Sequence, residues 1–377
     1  MTKKSDGSKR TTPINRRDFV KTATMSTAAA AVSSSMIPKR VFAQTQKDVT
    51  FTLSWIPNGG SAWVDVGREK GIFKKHGFNV DVTRGFGSSA SAQAVGQGKF
   101  NFGISSAAAS YLQCAKGMKI AHLGCASYSS AMGIGYLRNN GIATPKDLEG
   151  KKMGCVVASG EYPFLPVMAE RAGFDLSKVE IVQVDNKIRT GVLLSKQVSA
   201  ISCFASSVAP DVTTKGYDVG WFLYDSYDMG FYGYMLITQP EMYAKDKGLC
   251  EAFAEAHMES VMYTMLNPEE AHEIFIKRVP EAGLTKAQRD ALALEIGLFT
   301  HINLVPEVKE HGVGSISMDS YKSMADLIMK HVAAPGDTAP NLEEMLFTDH
   351  VTDKFKFTPE QLASLEEYAK PFAKVLS

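Results

Sequence analysis

The chain has 377 residues, 45% hydrophobic and 21% charged, an ordinary globular composition with length for two domains of common size and none of the bias of a disordered protein. Of its 41 Lys and Arg and 40 Asp and Glu, nine bases and two acids fall within residues 1–43, leaving 32 bases and 38 acids beyond them. That negative remainder argues against nucleic acid as a partner, and no stretch reaches the roughly 18 apolar residues that a membrane helix needs.

The chain opens with Lys3, Lys4, Lys9 and Arg10, followed by Asn15-Arg16-Arg17-Asp18-Phe19-Val20-Lys21, an apolar run from Ala28 to Val32, and Val41-Phe42-Ala43, a small-residue cleavage pattern. This order resembles a twin-arginine export signal, which implies removal of residues 1–43 and a periplasmic product. The competing reading is a basic arm for nucleic acid or lipid. No cysteine follows the cleavage pattern, so no direct membrane anchor is expected.

Beyond the leader, Val49, Phe51 and Leu53 alternate with Thr50, Thr52 and Ser54, the period of a strand, and Pro57-Asn58-Gly59-Gly60 stops it. A helix from Ala62 to Lys75 ends at His76-Gly77, and a strand from Phe78 to Thr83 follows. This is a βαβ unit of a parallel sheet, whose ligands bind beyond the carboxyl ends of the strands. Trp55, Pro57 and Asn58 stand at that edge, although Trp55 could equally be a core aromatic. The glycine-serine turn 84–89 then leads to a helix near Ala90–Val95. Strand Phe100–Ile104 runs through Ser105-Ser106 into helix Ala107–Ala115, and strands Lys119–Ala126 and Met132–Leu137 follow.

At Thr144-Pro145 the pattern restarts, with strands at 153–157, 179–184, 198–204 and 219–224 and helices at 164–172, 189–196 and 207–215. Another strand, Phe231–Thr238, precedes an all-helical remainder, at about 248–266, 268–277, 285–303, 316–332 and 359–374. The reading is an α/β chain of two lobes: 44–138 plus 236–377, and 139–235. They are joined by two hinge strands, Met132–Arg138 and Phe231–Thr238, with the ligand between the lobes.

Several motifs compete for a chemical role. Gly85-x-Gly87-x-x-Ala90 has the outline of a dinucleotide turn, but Ile104-Ser105-Ser106 stands where its acidic residue belongs. Gly103-Ile104-Ser105-Ser106-Ala107 resembles a nucleophile elbow, yet the later histidines lie in the helical tail without a strand-end context. Glu269-x-x-His272 has a metal-bridging spacing that would have to occur twice. The five cysteines show no CxxC spacing and read as buried small hydrophobes, with one oxidised pair left open. No catalytic residue, metal or cofactor is assigned. The candidate ligand contacts are strand-end groups: Trp55, Asn58, Gly87, Ser88, Ser105, Ser106, Ser159, Gly160, Glu161, Tyr162, Asp185, Phe204 and Tyr232. Serines at helix starts suit an oxyanion. Rings with acidic acceptors suit a nitrogen heterocycle, and Glu161 within the gripping turn favours the ring.

Three stretches carry a family likeness: Trp55-x-Pro57-Asn58; Gly67-x-x-Lys70-Gly71-x-Phe73-x-x-x-Gly77-Phe78-x-Val80; and Gly98-x-Phe100-x-Phe102-Gly103-Ile104. With Asp147-Leu148-x-Gly150-Lys151-Lys152-x-Gly154, Ala172-Gly173-Phe174-Asp175 and Leu193-Leu194-x-x-Gln197-Val198-x-Ala200, the chain resembles the nitrate, sulfonate, taurine and thiamine-precursor group of periplasmic solute-binding proteins. The resemblance implies the two-lobe type II fold, delivery of a small-molecule ligand to an ABC transporter permease, and a monomer. Gly160-Glu161-Tyr162 and Trp55-x-Pro57 are similar to the thiamine-pyrimidine branch, which also contains a synthase. Where the synthases carry a catalytic His and a cysteine-rich run, this chain has Ser61 and Asp228-Met229-Gly230-Phe231-Tyr232, so a binding role is expected, with the synthase as the alternative.

Overall fold

The computed structural model describes residues 46–376, so the expected export signal lies outside the described residues. Strand β1 (Lys47–Thr52) buries Val49 and Phe51 and leaves Thr50 exposed, as its alternation dictates. It pairs in parallel with β2 (Phe78–Thr83) from Lys47↔Phe78 to Thr52↔Thr83, and with β3 (Phe102–Ser106) on its other side. With β4 (Ala121–Cys125) and the late strand β10 (Tyr234–Thr238) they form a sheet ordered β2-β1-β3-β10-β4, in which β10 is antiparallel to both its neighbours.

The second sheet is built in the same way. Its strands β5 (Met132–Leu137), β6 (Lys152–Cys155), β7 (Glu180–Gln183), β8 (Ala200–Phe204) and β9 (Val219–Leu223) take the order β7-β6-β8-β5-β9, and β5 is the antiparallel member. Each sheet thus receives one strand from across the molecule. The chain passes between the sheets at 126–131 and 228–233, so β5 belongs wholly to the second lobe. The boundary expected near 138 therefore falls before Met132. The second expected crossing strand begins only at Tyr234, because Met229, Phe231 and Tyr232 are buried in a loop between lobes rather than along a ladder.

Helix Lys247–Leu266 covers the first sheet and inserts Phe253 among Phe51, Phe73, Phe78 and Phe102, the last stacked on it at 4.0 Å between centroids. Burying one such ring contributes about 1.5–3 kcal/mol. Helix Lys286–Asn303, opened by the Thr285–Gln288 capping box, touches the Gly59–Ser61 turn of the first lobe and helix Ala205–Thr214 of the second. The chain end repeats this bridging. Phe372 lies against Gly297, where an added methyl would meet the ring at 2.1 Å, and the indole N–H of Trp221 on β9 donates to the Val375 carbonyl at 3.0 Å. The helical part assigned from sequence to the first lobe thus also holds the second. All five cysteines are free, and among the described residues no helix is long and apolar enough to cross a membrane.

Candidate functional site: the cleft between the lobes

The carboxyl end of β1 runs into the turn bearing Ser54 and Trp55, and β2 leads through Gly85 into Gly87 and the helix Ser88–Gly96. From the second lobe, β6 leads into the turn 156–161. These loops meet face to face. A methyl on Gly87, whose φ is +135°, would stand 2.0 Å from the Ala158 carbonyl oxygen; one on Gly160 would stand 2.7 Å from Ser106 Oγ and 3.0 Å from Ser88 Cβ. Both positions need glycine because backbone approaches across the lobes there.

Two small enclosed spaces remain between the lobes. One, about 10 Å³, is lined by Ser54, Trp55, Ser88, Ser159 and Arg189, and the other, about 20 Å³, by residues that include Asn58, Ser130, Glu295 and Phe299. Phe204, Ser207 and Tyr234 line both. Each has room for about one water molecule, too little for a ring-sized solute. Phe204 of the second lobe stacks on Tyr234 of the first with centroids 5.9 Å apart and planes at 17°.

The charged groups of the cleft differ from those expected. Glu161 is wholly buried, accepts from Ser159 Oγ and, at 3.3 Å, from Ser202 Oγ, and is ion-paired to Arg189 at 3.5 Å. Arg189, 3% exposed, lays its guanidinium 4.7 Å from the Trp55 ring across the lobes. Its Nη1 donates to the Ser202 carbonyl and its Nη2 to Ser207 Oγ, both at 3.4 Å, while its Nε has no partner. Glu295 lies at the far end of the cleft, with Oε2 accepting from the Gly59 N–H at 2.5 Å. Its surroundings remove enough water from the carboxyl to push its pKa up to about 8, against the opposing pull of that N–H bond.

The structure brings Trp55, Asn58, Ser88, Ser159 and Phe204 to the cleft lining. Gly87 and Gly160 lie where the facing loops touch, and Glu161 is buried behind them. Ser105 and Ser106 are fully buried, with Ser106 Oγ facing Gly160 at the contact between the lobes. Ser105 Oγ donates to the Ser88 carbonyl, and Ser106 Oγ accepts from the Ala109 N–H and so caps its own helix. Tyr162 and Asp185 line a wider groove of about 1080 Å³ on the outer rim, with Phe86. Asp185 accepts from the Lys187 N–H there. Tyr232 lines a groove of about 690 Å³ beside the crossings, where its hydroxyl donates to Glu307 at 2.7 Å and accepts from the Ser317 N–H. Sequence reasoning missed Arg189, Tyr234 and Glu295. The first two stand at a helix start and a strand start and had a positional signal. Glu295 had none, being one acid on a long helix.

Two α/β sheets, two passages between them and a loop-lined cleft at the strand ends define a protein of the two-lobe periplasmic binding-protein fold. The solved structures agree: one protein from Bordetella bronchiseptica superposes with a TM-score of 0.63 at 19% identity over 86% of this chain and 98% of its own, and the periplasmic aliphatic sulphonate binding protein of Escherichia coli does so at 0.59 and 14% identity over 78% and 95%. More particularly, the NMT1/THI5-like family model matches residues 60–271, and the chain belongs to that family. Its sequence is 22% identical to the formylaminopyrimidine-binding protein of Halalkalibacterium halodurans over 241 residues, covering 64% of this chain and 73% of the relative. It is 21% identical to the 4-amino-5-hydroxymethyl-2-methylpyrimidine phosphate synthase of Legionella pneumophila over 236 residues, covering 62% and 74%.

Proposed function

We propose that this protein is the solute-binding component of an ABC importer, exported by the twin-arginine route to the periplasm, where as a monomer it captures a pyrimidine-like or related nitrogen heterocycle and presents it to a membrane permease. The observation that carries the reading is the cleft itself. Two lobes close glycine-on-carbonyl over two small spaces that share Phe204 and Tyr234, with Trp55 on one and Phe299 on the other, and serine and asparagine groups among the lining. Aromatic walls with a few polar groups fit a flat polar solute. The likeness to a formylaminopyrimidine-binding protein points the same way.

The charge balance also favours a ring over a sulfonate or nitrate. Arg189, the guanidinium among the lining residues, is already paired to Glu161, so it is not free to take an anion. Likeness to a synthase supports a second reading, an enzyme of thiamine-pyrimidine synthesis. Against it stands Ser61, bonded to the Asn58 carbonyl, at the position of the synthase histidine.

Calorimetry of the mature chain against pyrimidines, sulfonates and nitrate tests the proposal. Micromolar binding of a pyrimidine, weakened by Trp55→Ala, is expected, whereas a sulfonate or nitrate as the tight ligand overturns it. Purified protein holding stoichiometric iron and pyridoxal phosphate would favour the enzyme.

A further inference from the structure

We propose that the groove beside the two crossings is a second binding site, for a small organic ammonium ion with an apolar body, and that its occupant holds the lobes in their closed arrangement. The site is distinct from the cleft, and the inference does not depend on which solute enters the cleft.

The crossings present different residues to two different spaces. Ser127, Ser130, Gly233 and Tyr234 line an enclosed space of the cleft, whereas their neighbours Tyr128, Ser129, Phe231 and Tyr232 line the groove. At about 690 Å³ the groove has the size of a small-molecule pocket. Its other side is formed from helix Pro306–His311, which carries Glu307, and helix Met318–His331, which carries Ser323 and Leu327. Rings and an aliphatic side chain thus offer one part of the wall to an apolar body, and hydroxyls and acids the rest.

The charge of the wall selects the other half of the ligand. Asp225, Asp228 and Glu307 line the groove, and among the described residues no Lys, Arg or His does. The bases of the neighbourhood are engaged elsewhere: Arg171 donates to the carbonyls of Tyr227 and Asp228, Lys309 pairs with Glu366, and His311 with Asp353. Glu307 accepts the Tyr232 hydroxyl on Oε2 at 2.7 Å, while its Oε1 is enclosed without a hydrogen-bond partner. A carboxylate oxygen in that state is costly, and a donor brought by a ligand relieves the cost. Among the described residues no group of three or more acids, His or Cys is disposed to hold a metal ion, so the carboxylates border a space rather than converge on a point. An ammonium supplies three N–H donors and no acceptor, and the faces of aromatic rings attract it as well.

The position of the groove couples it to closure. Ser129 Oγ on the first crossing donates to Asp225 Oδ2 of the second lobe at 3.1 Å, across the mouth of the same space. Each crossing also holds a non-glycine residue at positive φ, Ala131 at +46° and Asp228 at +55°. Such backbone persists only where its surroundings hold it. An occupant touching both crossings adds to that hold, and because the groove takes its shape from the closed arrangement, binding there favours closure.

The test is titration calorimetry of the mature protein with 2-phenylethylamine, neutral 2-phenylethanol and anionic 3-phenylpropionate as probes. The amine should bind about tenfold or more tighter than the alcohol, as hydrogen bonds to charged groups dictate, and the anion more weakly still. Asp228→Asn keeps a residue that tolerates the left-handed backbone, and Glu307→Gln is checked for folding by circular dichroism. Each should weaken the amine about fivefold or more, whereas Trp55→Ala, in the cleft, should leave its affinity unchanged. Solution scattering should show the amine alone reducing the radius of gyration of wild type. Equal binding of amine and alcohol, amine affinity that survives both acid substitutions, or its loss in Trp55→Ala overturns the site. Amine binding at the groove without compaction overturns the coupling to closure.

Discussion

Glu161 and Glu295 are acids at opposite ends of one cleft, and they are satisfied in opposite ways. Glu161 is fully buried among a guanidinium and two hydroxyls of its own lobe, so its charge is compensated within the fold. Glu295 is half-buried, has one backbone donor and no cation beside it, and so holds its proton to about pH 8. The difference teaches that enclosure alone does not identify a ligand-binding acid. The less enclosed acid is the one with hydrogen-bonding capacity left over.

Removing either acid separates the two most sharply. Glu161→Ala leaves Arg189 buried without a counter-charge, which should cost about 3–5 kcal/mol of stability. The loss would be read as a lower denaturant midpoint. Glu295→Ala, which strands no cation, should cost much less. Equal losses would erase the contrast.

Closure is the next lever. Gly87→Val places a branched side chain against the Ala158 carbonyl at a backbone angle that valine avoids, and should hold the lobes apart. Ligand affinity is expected to fall at least tenfold, about 1.4 kcal/mol, and solution scattering should show no compaction on adding ligand. Normal compaction would mean that the lobes close along another path.

The titration of Glu295 gives an effect of definite sign. The folded carboxyl keeps its proton to about pH 8, whereas an unperturbed one releases it near 4.5. Between those values the folded state binds more protons, so stability falls as pH rises through the window and levels off above it. Wild type should therefore lose melting temperature relative to Glu295→Gln between pH 5 and 9, with the fall levelling off once the folded carboxyl has titrated. Parallel curves would show that the carboxyl titrates normally.

The smallest change lies at the chain end. Trp221→Phe keeps the ring but removes the donor to the Val375 carbonyl, a loss of about 0.5–1.5 kcal/mol. If the terminal segment braces the lobes, protease cleavage after residue 370 should accelerate. Unchanged cleavage would show that Phe372 against Gly297 holds the segment by itself.

Local pattern alone determined most of the architecture. Val49, Phe51 and Leu53 alternate with polar residues because a strand has two faces, Gly71 and Gly77 end helical turns because they adopt positive φ, and the long tail helices carry their own caps. The restart at Thr144-Pro145 made a second lobe readable, and strand ends marked Trp55, Ser88, Ser159 and Phe204 as lining. Direction across the cleft was not readable, since it depends on how two sheets face each other. Tyr162, Asp185 and Tyr232 share the strand-end signature yet line outer grooves, while the Ser105 and Ser106 hydroxyls are fully buried and bonded to backbone groups. Glu161 looked like a free acceptor because nothing in Gly160-Glu161-Tyr162 announces that Arg189, on a later helix, folds over to pair with it. Tertiary structure alone decided that a helix more than two hundred residues from Asn58 and Gly59 would set Glu295 against them, because a carboxyl's surroundings, and hence its proton, are fixed by packing between segments that the sequence keeps far apart.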